Sequence, residues 1–321
     1  MTSPIMRLVM NPTSRSGRGK KTWDARIRIL EERGVEFDCV KTERPGHAVE
    51  LAREASECGY PTVVAVGGDG TINDVLNGIL TARVSPDQRP ALGILYSGTS
   101  PDICNYHRIP TEPSASALAL ITNKAVPVDV GEVRYRTTAG GPVTSYFLCS
   151  VNLGMGADVA DGSNGGLRRW LGDEAGTLAS ILWTVVRFPR PEMRSRIDGE
   201  LKAFPRTLNI TIGKNPLIAS GLKVNVPLEP DDGKMYVFSI QGFGVFGLTW
   251  HIRKLYRGTF QHHRNNQLLF PTAVEFLECP EAPRVEFDGD AHGLLPCQIR
   301  VVRTAIRLIR PALECRAPSP T

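Results

Sequence analysis

Val63-Val64-Ala65-Val66-Gly67-Gly68-Asp69-Gly70-Thr71-Ile72-Asn73-Asp74-Val75-Leu76-Asn77-Gly78 decides the fold of this chain. Its first four residues are apolar and mostly β-branched, the composition of a buried strand. Three glycines in four positions then surround Asp69, and Ile72, Val75, Leu76 and Ile79 follow at helical spacing. The stretch predicts a strand, a tight glycine turn and a helix. Glycine leaves no Cβ between the backbone N–H groups and a ligand. The start of a helix adds unpaired N–H groups and a partial positive charge, which together suit a phosphate. Asp69 would repel that phosphate unless a divalent cation lay between them. A turn whose glycines serve packing alone is the alternative. The density of glycine, the acid among them and the hydroxyl of Thr71 favour phosphate. The spacing is neither a P-loop, since no Gly-Lys-Ser/Thr follows, nor Gly-x-Gly-x-x-Gly.

Toward the N-terminus, Ile5 to Met10 reads as a strand, Asn11 to Lys20 as a polar, basic, glycine-bearing loop, and Trp23, Ile27 and Leu30 mark a helix. Val35 to Lys41 is a second strand, ended by Thr42, with a helix from Gly46-His47-Ala48 through Cys58. On the other side, Pro90 to Tyr96 is a strand followed by Ser97-Gly98-Thr99-Ser100-Pro101-Asp102. Pro101 suits a first helical turn, and helical residues continue from Ala115 to Thr122. Cys104 and His107 have the spacing of half a metal site, but no second Cys/His pair accompanies them. The alternation of strand and helix predicts a parallel sheet covered on both faces. Ligands of such sheets bind at the carboxyl ends of the strands. The loops after Met10, Val66 and Tyr96 all fall there.

The pattern changes near residue 125. Val126 to Tyr135, Thr144 to Asn152, Arg206 to Ile212, Leu222 to Val226, Met235 to Gln241 and Val274 to Leu277 read as strands separated by Gly, Pro and Asp turns. Helical insertions are expected near Asp173–Phe188 and Val245–Tyr256. Arg300, Arg303, Arg307 and Arg310 recur at helical spacing, yet β-branched density between Pro296 and Pro311 favours two short strands. The expectation is an α/β domain over 1–125 and a mostly antiparallel β domain over 126–315.

The chain has 321 residues and a net charge of +5, a mild basic bias that suits phosphate ligands or an anionic membrane face and does not argue for nucleic acid. Seven scattered cysteines without a Cys-x-x-Cys pair read as reduced thiols of a cytoplasmic protein. No signal peptide is expected at the N-terminus, and no apolar run reaches the ~18 residues of a membrane span. Trp250 to Arg257, with Phe260, His262, His263 and Arg264, mixes bases with aromatics. That face suits either an anionic bilayer or solvent.

Gly67-Gly68-Asp69-Gly70-Thr71 resembles the nucleotide-binding signature of the diacylglycerol kinase catalytic-domain family, which includes bacterial lipid kinases, sphingosine kinases and ceramide kinases. NAD kinases and phosphofructokinases are its distant relatives. The resemblance extends through the loop at Asn11, the strand end at Thr42, Gly98-Thr99 with Asp102, Asn152-Leu153-Gly154-Met155-Gly156, Glu229 to Lys234, and Asp288-Gly289-Asp290. It implies a Rossmann-like, phosphofructokinase-like parallel-sheet domain, a C-terminal antiparallel β-sandwich domain and an active site in the cleft between them. It further implies ATP as phosphoryl donor, Mg²⁺, and a lipid hydroxyl as acceptor. Nucleotide contacts fall on Asn11, Thr42, Gly67, Gly68, Asp69, Gly70, Thr71, Asn73, Gly98 and Thr99. Asp69, then Asp74, would hold the nucleotide's Mg²⁺. Asp232, with the carbonyls of Glu229 and Lys234, would hold a structural Mg²⁺; a plain Asp-Gly hairpin turn is the other reading. The family's general-base glutamate falls on Asp290, and His292 is a substitute base. Ser100-Pro101 and Asp290 depart from the family pattern. The partners implied are a lipid, a transient anionic membrane surface and, as an assembly, a homodimer. An NAD-kinase-type small-molecule kinase and a nucleotide- or lipid-binding relative with little turnover are the alternatives.

Overall fold

The computed structural model describes residues 6–14, 20–137, 140–155, 186–219, 222–281, 283–287 and 290–311. The chain divides into two compact units. The first runs to Val128 and resumes at Thr304, and the second is Asp129–Arg303.

The first unit alternates β1 (Met6–Met10), α1 (Lys20–Glu32), β2 (Phe37–Lys41), α2 (His47–Glu57), β3 (Thr62–Gly67), α3 (Asp69–Thr81), β4 (Ala91–Tyr96), α4 (Asp102–His107) and α5 (Pro113–Thr122). Every residue of β3 and of β4 is buried, as near-continuous apolar runs require in a sheet covered on both faces. The strand order is β2-β1-β3-β4, all parallel. Leu8, Leu30, Val64, Leu95 and Leu120 belong to its core. Register decides what happens at the edge. Met10 pairs with Lys41 and with Val66, and Gly67 pairs with Tyr96. The loops opening at Asn11, Thr42, Gly68 and Ser97 therefore leave one carboxyl edge side by side.

The second unit is antiparallel. It contains most of β5 (Ala125–Arg136), then β6 (Pro142–Phe147), β7 (Ser150–Gly154), β8 (Met193–Ile197), β9 (Glu200–Phe204), β10 (Thr207–Gly213), β11 (Leu217–Ala219), β12 (Leu222–Lys223), β13 (Tyr236–Gln241), α6 (Val245–Tyr256), β14 (Gln267–Leu269), β15 (Ala273–Phe276) and β16 (Arg284–Phe287). β14, β13, β10, β7 and β16 lie in that order. Phe147, Val151, Phe204, Ile210, Phe276 and Val285 are part of its core. One buried face carries polar groups instead: Asn152 donates to Glu286 at 2.7 Å and accepts from Thr211 at 2.7 Å and Asn209 at 3.2 Å. Satisfied internally, such a network is tolerated in a core.

Three sequence expectations are corrected. The single strand over Thr144–Asn152 is two, β6 and β7, interrupted at Leu148-Cys149. The strand expected over Leu222–Val226 stops at Lys223. The two short C-terminal strands are one, β17 (Asp290–Ile309). The strand continues through Pro296: pairing with β16 stops at Leu294, pairing with β15 starts at Cys297, and β5 pairs with β17 as well. Further along, Thr304 sits at φ 48°, an uncommon conformation for a β-branched residue, at the point where β17 passes from the second unit to the first. Beyond Thr304, Leu308 pairs with Leu92 of β4 in parallel. The helix expected over Asp173–Phe188 lies mostly outside the described residues, as do Gly156, Arg168-Arg169-Trp170, 15–19 of the basic loop, and Asp288-Gly289. No helix of the described residues is long and apolar enough to cross a membrane.

Candidate functional site

The edge formed by β1, β2, β3 and β4 is built from the residues whose loops it aligns. Gly68 precedes α3 in extended backbone, and no side chain caps the helix. Its first-turn N–H groups are thus left for a ligand. The loops approach so closely that only glycine fits. A Cβ on Gly98 would lie 2.8 Å from the Gly68 Cα, and a Cβ on Gly67 would lie 2.3 Å from the Thr71 Oγ1. The Ser97 N–H donates to the Gly67 carbonyl at 2.7 Å, and the Ser14 and Ser97 hydroxyls meet at 2.9 Å.

Asn11 ties the first loop to the third. Its backbone N–H donates to Val66 O at 2.9 Å, and its Nδ2 donates to Thr71 Oγ1 at 3.1 Å. Its Oδ1 accepts from the Thr13 N–H and hydroxyl at 3.0 and 2.8 Å, which fixes the amide's orientation. Thr42 joins the same edge through its N–H to Met10 O at 2.8 Å. Asn73 is placed elsewhere: its side chain is buried and faces Asn77 one turn further along α3. Asp74 lies five residues after Asp69 on the same helix, roughly 140° around its axis.

Asp102 is the acid whose charge acts on Asp69. It opens α4, is buried, and accepts from the Ser100 hydroxyl at 3.0 Å. Burial pushes the Asp69 carboxyl up from 3.8 to about 7, and the negative charge of Asp102 pushes it the same way. Asp69 Oδ1 is buried without a hydrogen-bond partner among the described residues. The Cys104 thiol is raised by burial and then by the Asp69 charge, so Cys104 packs beside this pair as an inert neutral group. A buried carboxylate with an unpartnered oxygen among the described residues, under the charge of a second one, has the donor chemistry that suits a divalent cation whose remaining ligands would come from phosphate oxygens and water. Among the described residues no three His, Cys, Asp or Glu side chains cluster for a metal on their own.

Sequence reasoning matched Asp102 to a motif without giving it a role toward Asp69. The signal was its position after β4, the strand next to β3. Arg26 was missed altogether. It is buried on α1 and donates to Ser116 Oγ at 3.1 Å, to Thr111 O at 3.0 Å and to the Tyr96 carbonyl, which anchors the end of β4 where the Gly98 loop begins. Of Asp290 the structure describes the backbone, which pairs with Phe287, and not the side chain. His292 is exposed and stacks on Phe287 with ring centroids 3.8 Å apart. Glu229 and Asp232 are brought together in one turn, which Lys234 joins through its N–H to Asp232 Oδ1 at 2.9 Å.

The raised carboxyl has a pH signature. Asp69 is protonated in the folded state and ionised in the unfolded state between 3.8 and about 7. Its contribution to stability is therefore full below the lower value and is lost as pH rises through the upper one. In the absence of nucleotide, Asp69→Asn is expected to melt roughly 2 to 8 °C above the unsubstituted chain at pH 8, with the gap narrowing toward pH 5. Melting curves at the two pH values check this; equal melting at pH 8 contradicts it.

Comparison with known proteins finds likenesses over nearly the whole chain. The "Diacylglycerol kinase catalytic domain" profile matches residues 6–133, and the "YegS C-terminal NAD kinase beta sandwich-like domain" profile matches 149–310. The "Probable lipid kinase YegS-like" of Chromohalobacter salexigens is 29% identical over 273 residues, covering 83% of this chain and 77% of the relative. The diacylglycerol kinase of Bacillus subtilis is 27% identical over 316 residues, covering 95% of this chain and 96% of that one. The crystal structure of a diacylglycerol kinase from Bacillus anthracis strain Sterne superposes with a TM-score of 0.74 at 19% identity, over 97% of this chain and 98% of that one, a likeness of fold.

Proposed function

This chain belongs to the diacylglycerol kinase catalytic-domain family, and from that premise we propose that it transfers the γ-phosphoryl group of ATP to the hydroxyl of a lipid. The observation that carries this is the shared carboxyl edge, where four loops open side by side and the third begins with Asp69, a buried carboxylate whose Oδ1 has no partner among the described residues. In this reading the N–H groups of Gly70 and Thr71 and the Gly68 and Gly98 backbones receive the phosphates. Asn11 holds the Thr71 hydroxyl in place, and Thr42 and Thr99 border the nucleotide. Asp69 and Asp102 hold Mg²⁺, which when bound neutralises charge on the phosphate oxygens. Asp290 takes the proton of the acceptor hydroxyl. Positioning and charge neutralisation are the main contributions such a site makes.

The names of the relatives in Chromohalobacter salexigens and Bacillus subtilis support a lipid acceptor. Diacylglycerol, ceramide and sphingoid bases all present the required hydroxyl. The second unit also carries a face suited to an anionic membrane. On α6 Trp250 is 84% exposed and Tyr256 is 51% exposed, beside exposed Arg253, Lys254 and Arg257. Lys254, Thr259, His262, His263 and Arg264 line a pocket at the end of that helix. Burial, and then the charges of His251, Arg264 and Lys254, push the His263 imidazole down. Rings at headgroup level among cations are the pattern of a peripheral, electrostatically held protein.

Incubation with γ-labelled ATP, Mg²⁺ and a panel of diacylglycerol, ceramide and sphingosine in mixed vesicles, followed by phase extraction, tests the proposal. Label in an organic-phase product is expected for at least one lipid. In a parallel incubation with NAD in place of the lipids, a water-soluble labelled product points to an NAD-kinase-type activity, and no product in either incubation points to a binding protein.

A further inference from the structure

Lys214 directly follows β10, and its side chain is only 2% exposed. Its ammonium donates to Asp129 Oδ2 at 3.1 Å, to the Glu229 carbonyl at 3.2 Å and to Asp232 Oδ1 at 2.7 Å. An ammonium has three N–H donors, and each of these finds its own oxygen. The set comprises two carboxylates and a backbone carbonyl, the donor chemistry of a hard divalent cation. The surrounding turn is tied to the same acids. Asp232 Oδ1 accepts from the Lys234 N–H at 2.9 Å, Asp232 Oδ2 from the Glu229 N–H at 3.0 Å, and Asp129 Oδ2 from the Gly233 N–H at 2.6 Å. Burial pushes the Asp232 carboxyl up, but the Lys214 ammonium and the two amides outweigh it and hold the group below its usual range. The Arg303 guanidinium borders the turn as well: a Cβ on Gly233 would lie 3.0 Å from its Nε.

This arrangement does not fit a metal at the position the family resemblance implies. Mg²⁺ or Ca²⁺ bound here would lie about 2.0 to 2.6 Å from the Asp232 carboxylate. The Lys214 Nζ fills that space, and a second cation beside it would be repelled by both the ammonium and the neighbouring guanidinium. We propose that Lys214 is the resident cation of the Glu229–Lys234 turn, so that a covalently attached ammonium replaces a structural divalent metal in this chain. The second unit then folds and holds this turn without Mg²⁺ or Ca²⁺. The consequence concerns stability and leaves the nucleotide's own Mg²⁺ in the first unit untouched.

The test is thermal melting of the nucleotide-free chain in EDTA, in millimolar Mg²⁺ and in millimolar Ca²⁺. The unsubstituted protein is expected to show no divalent-dependent shift that Asp232→Asn removes. Lys214→Ala leaves Asp129, Asp232 and the Glu229 carbonyl facing an uncompensated space. It is expected to melt roughly 5 to 10 °C lower in EDTA and to recover most of that loss with Mg²⁺ or Ca²⁺. The doubly substituted Lys214→Ala/Asp232→Asn chain is expected to show no such recovery. An unsubstituted chain that loses stability in EDTA and regains it with Mg²⁺ through Asp232 overturns the proposal. So does a Lys214→Ala chain that melts equally in all three buffers. If Lys214→Ala does not accumulate as folded protein, the comparison of the unsubstituted chain with Asp232→Asn decides alone.

Discussion

Asp69→Asn is expected to lower kcat for phosphoryl transfer by roughly 10³-fold or more. The substitution removes one negative charge and little volume. The Asn11–Thr71 hydrogen bond and the close Gly68–Gly98 approach do not involve the Asp69 side chain, so the loops should keep their shape. What would be lost, on the proposed function, is one of the two carboxylates, Asp69 and Asp102, that would hold Mg²⁺. The effect should appear in kcat and in the Mg²⁺ concentration needed for half-maximal rate. The same variant is expected to melt higher at pH 8, because a buried, charge-crowded carboxyl has been removed. Loss of activity joined to a gain in stability separates a metal-holding role from simple unfolding. An active Asp69→Asn enzyme with unchanged Mg²⁺ dependence would falsify the assignment.

The second large effect is expected at Asp290. Asp290→Asn should cost about 10² to 10⁴ in kcat, the usual contribution of a general base, with little change in KM for ATP. Aspartate is one methylene shorter than the glutamate of the resembled family, roughly 1.5 Å of reach. Asp290→Glu is therefore expected to retain activity, since it restores the residue type of the resembled family at a backbone held in the β16–β17 ladder. The pH–rate profile is the discriminating readout, because loss of a base removes its acidic limb. Full activity in Asp290→Asn would move the role elsewhere, with His292, stacked on Phe287, as the next residue to substitute.

Particular residues show how much of this was legible in the sequence. The run Val63–Gly78 announced strand, turn and helix because burial and glycine spacing are local properties, and β3 and α3 follow it closely. The convergence of Asn11, Thr42, Gly67–Thr71 and Gly98 was legible as well, since parallel order places all such loops at one edge. The pairing of Asp69 with Asp102 was hidden. It depends on the lateral register of β3 and β4, which no periodicity encodes. Asn73 looked like a phosphate-side residue by adjacency, but helical geometry turns it toward Asn77. Lys214 gave no signal, being one lysine after a strand. Its acceptors lie 85, 15 and 18 residues away in the chain. Two short strands were expected between Pro296 and Pro311, whereas β17 runs unbroken from Asp290 to Ile309, and the partners that hold it, β16, β15 and β5, are set by tertiary pairing.

The most direct measurement is a crystal structure of the chain with Mn²⁺ and a non-hydrolysable ATP analogue, located by the anomalous signal of the metal. The account predicts a Mn²⁺ peak about 2.2 Å from an Asp69 carboxylate oxygen, with analogue phosphates against the Gly68, Gly70 and Gly98 backbones. A metal peak and triphosphate bound elsewhere, with the Asp69 Oδ1 still unpartnered, would contradict it.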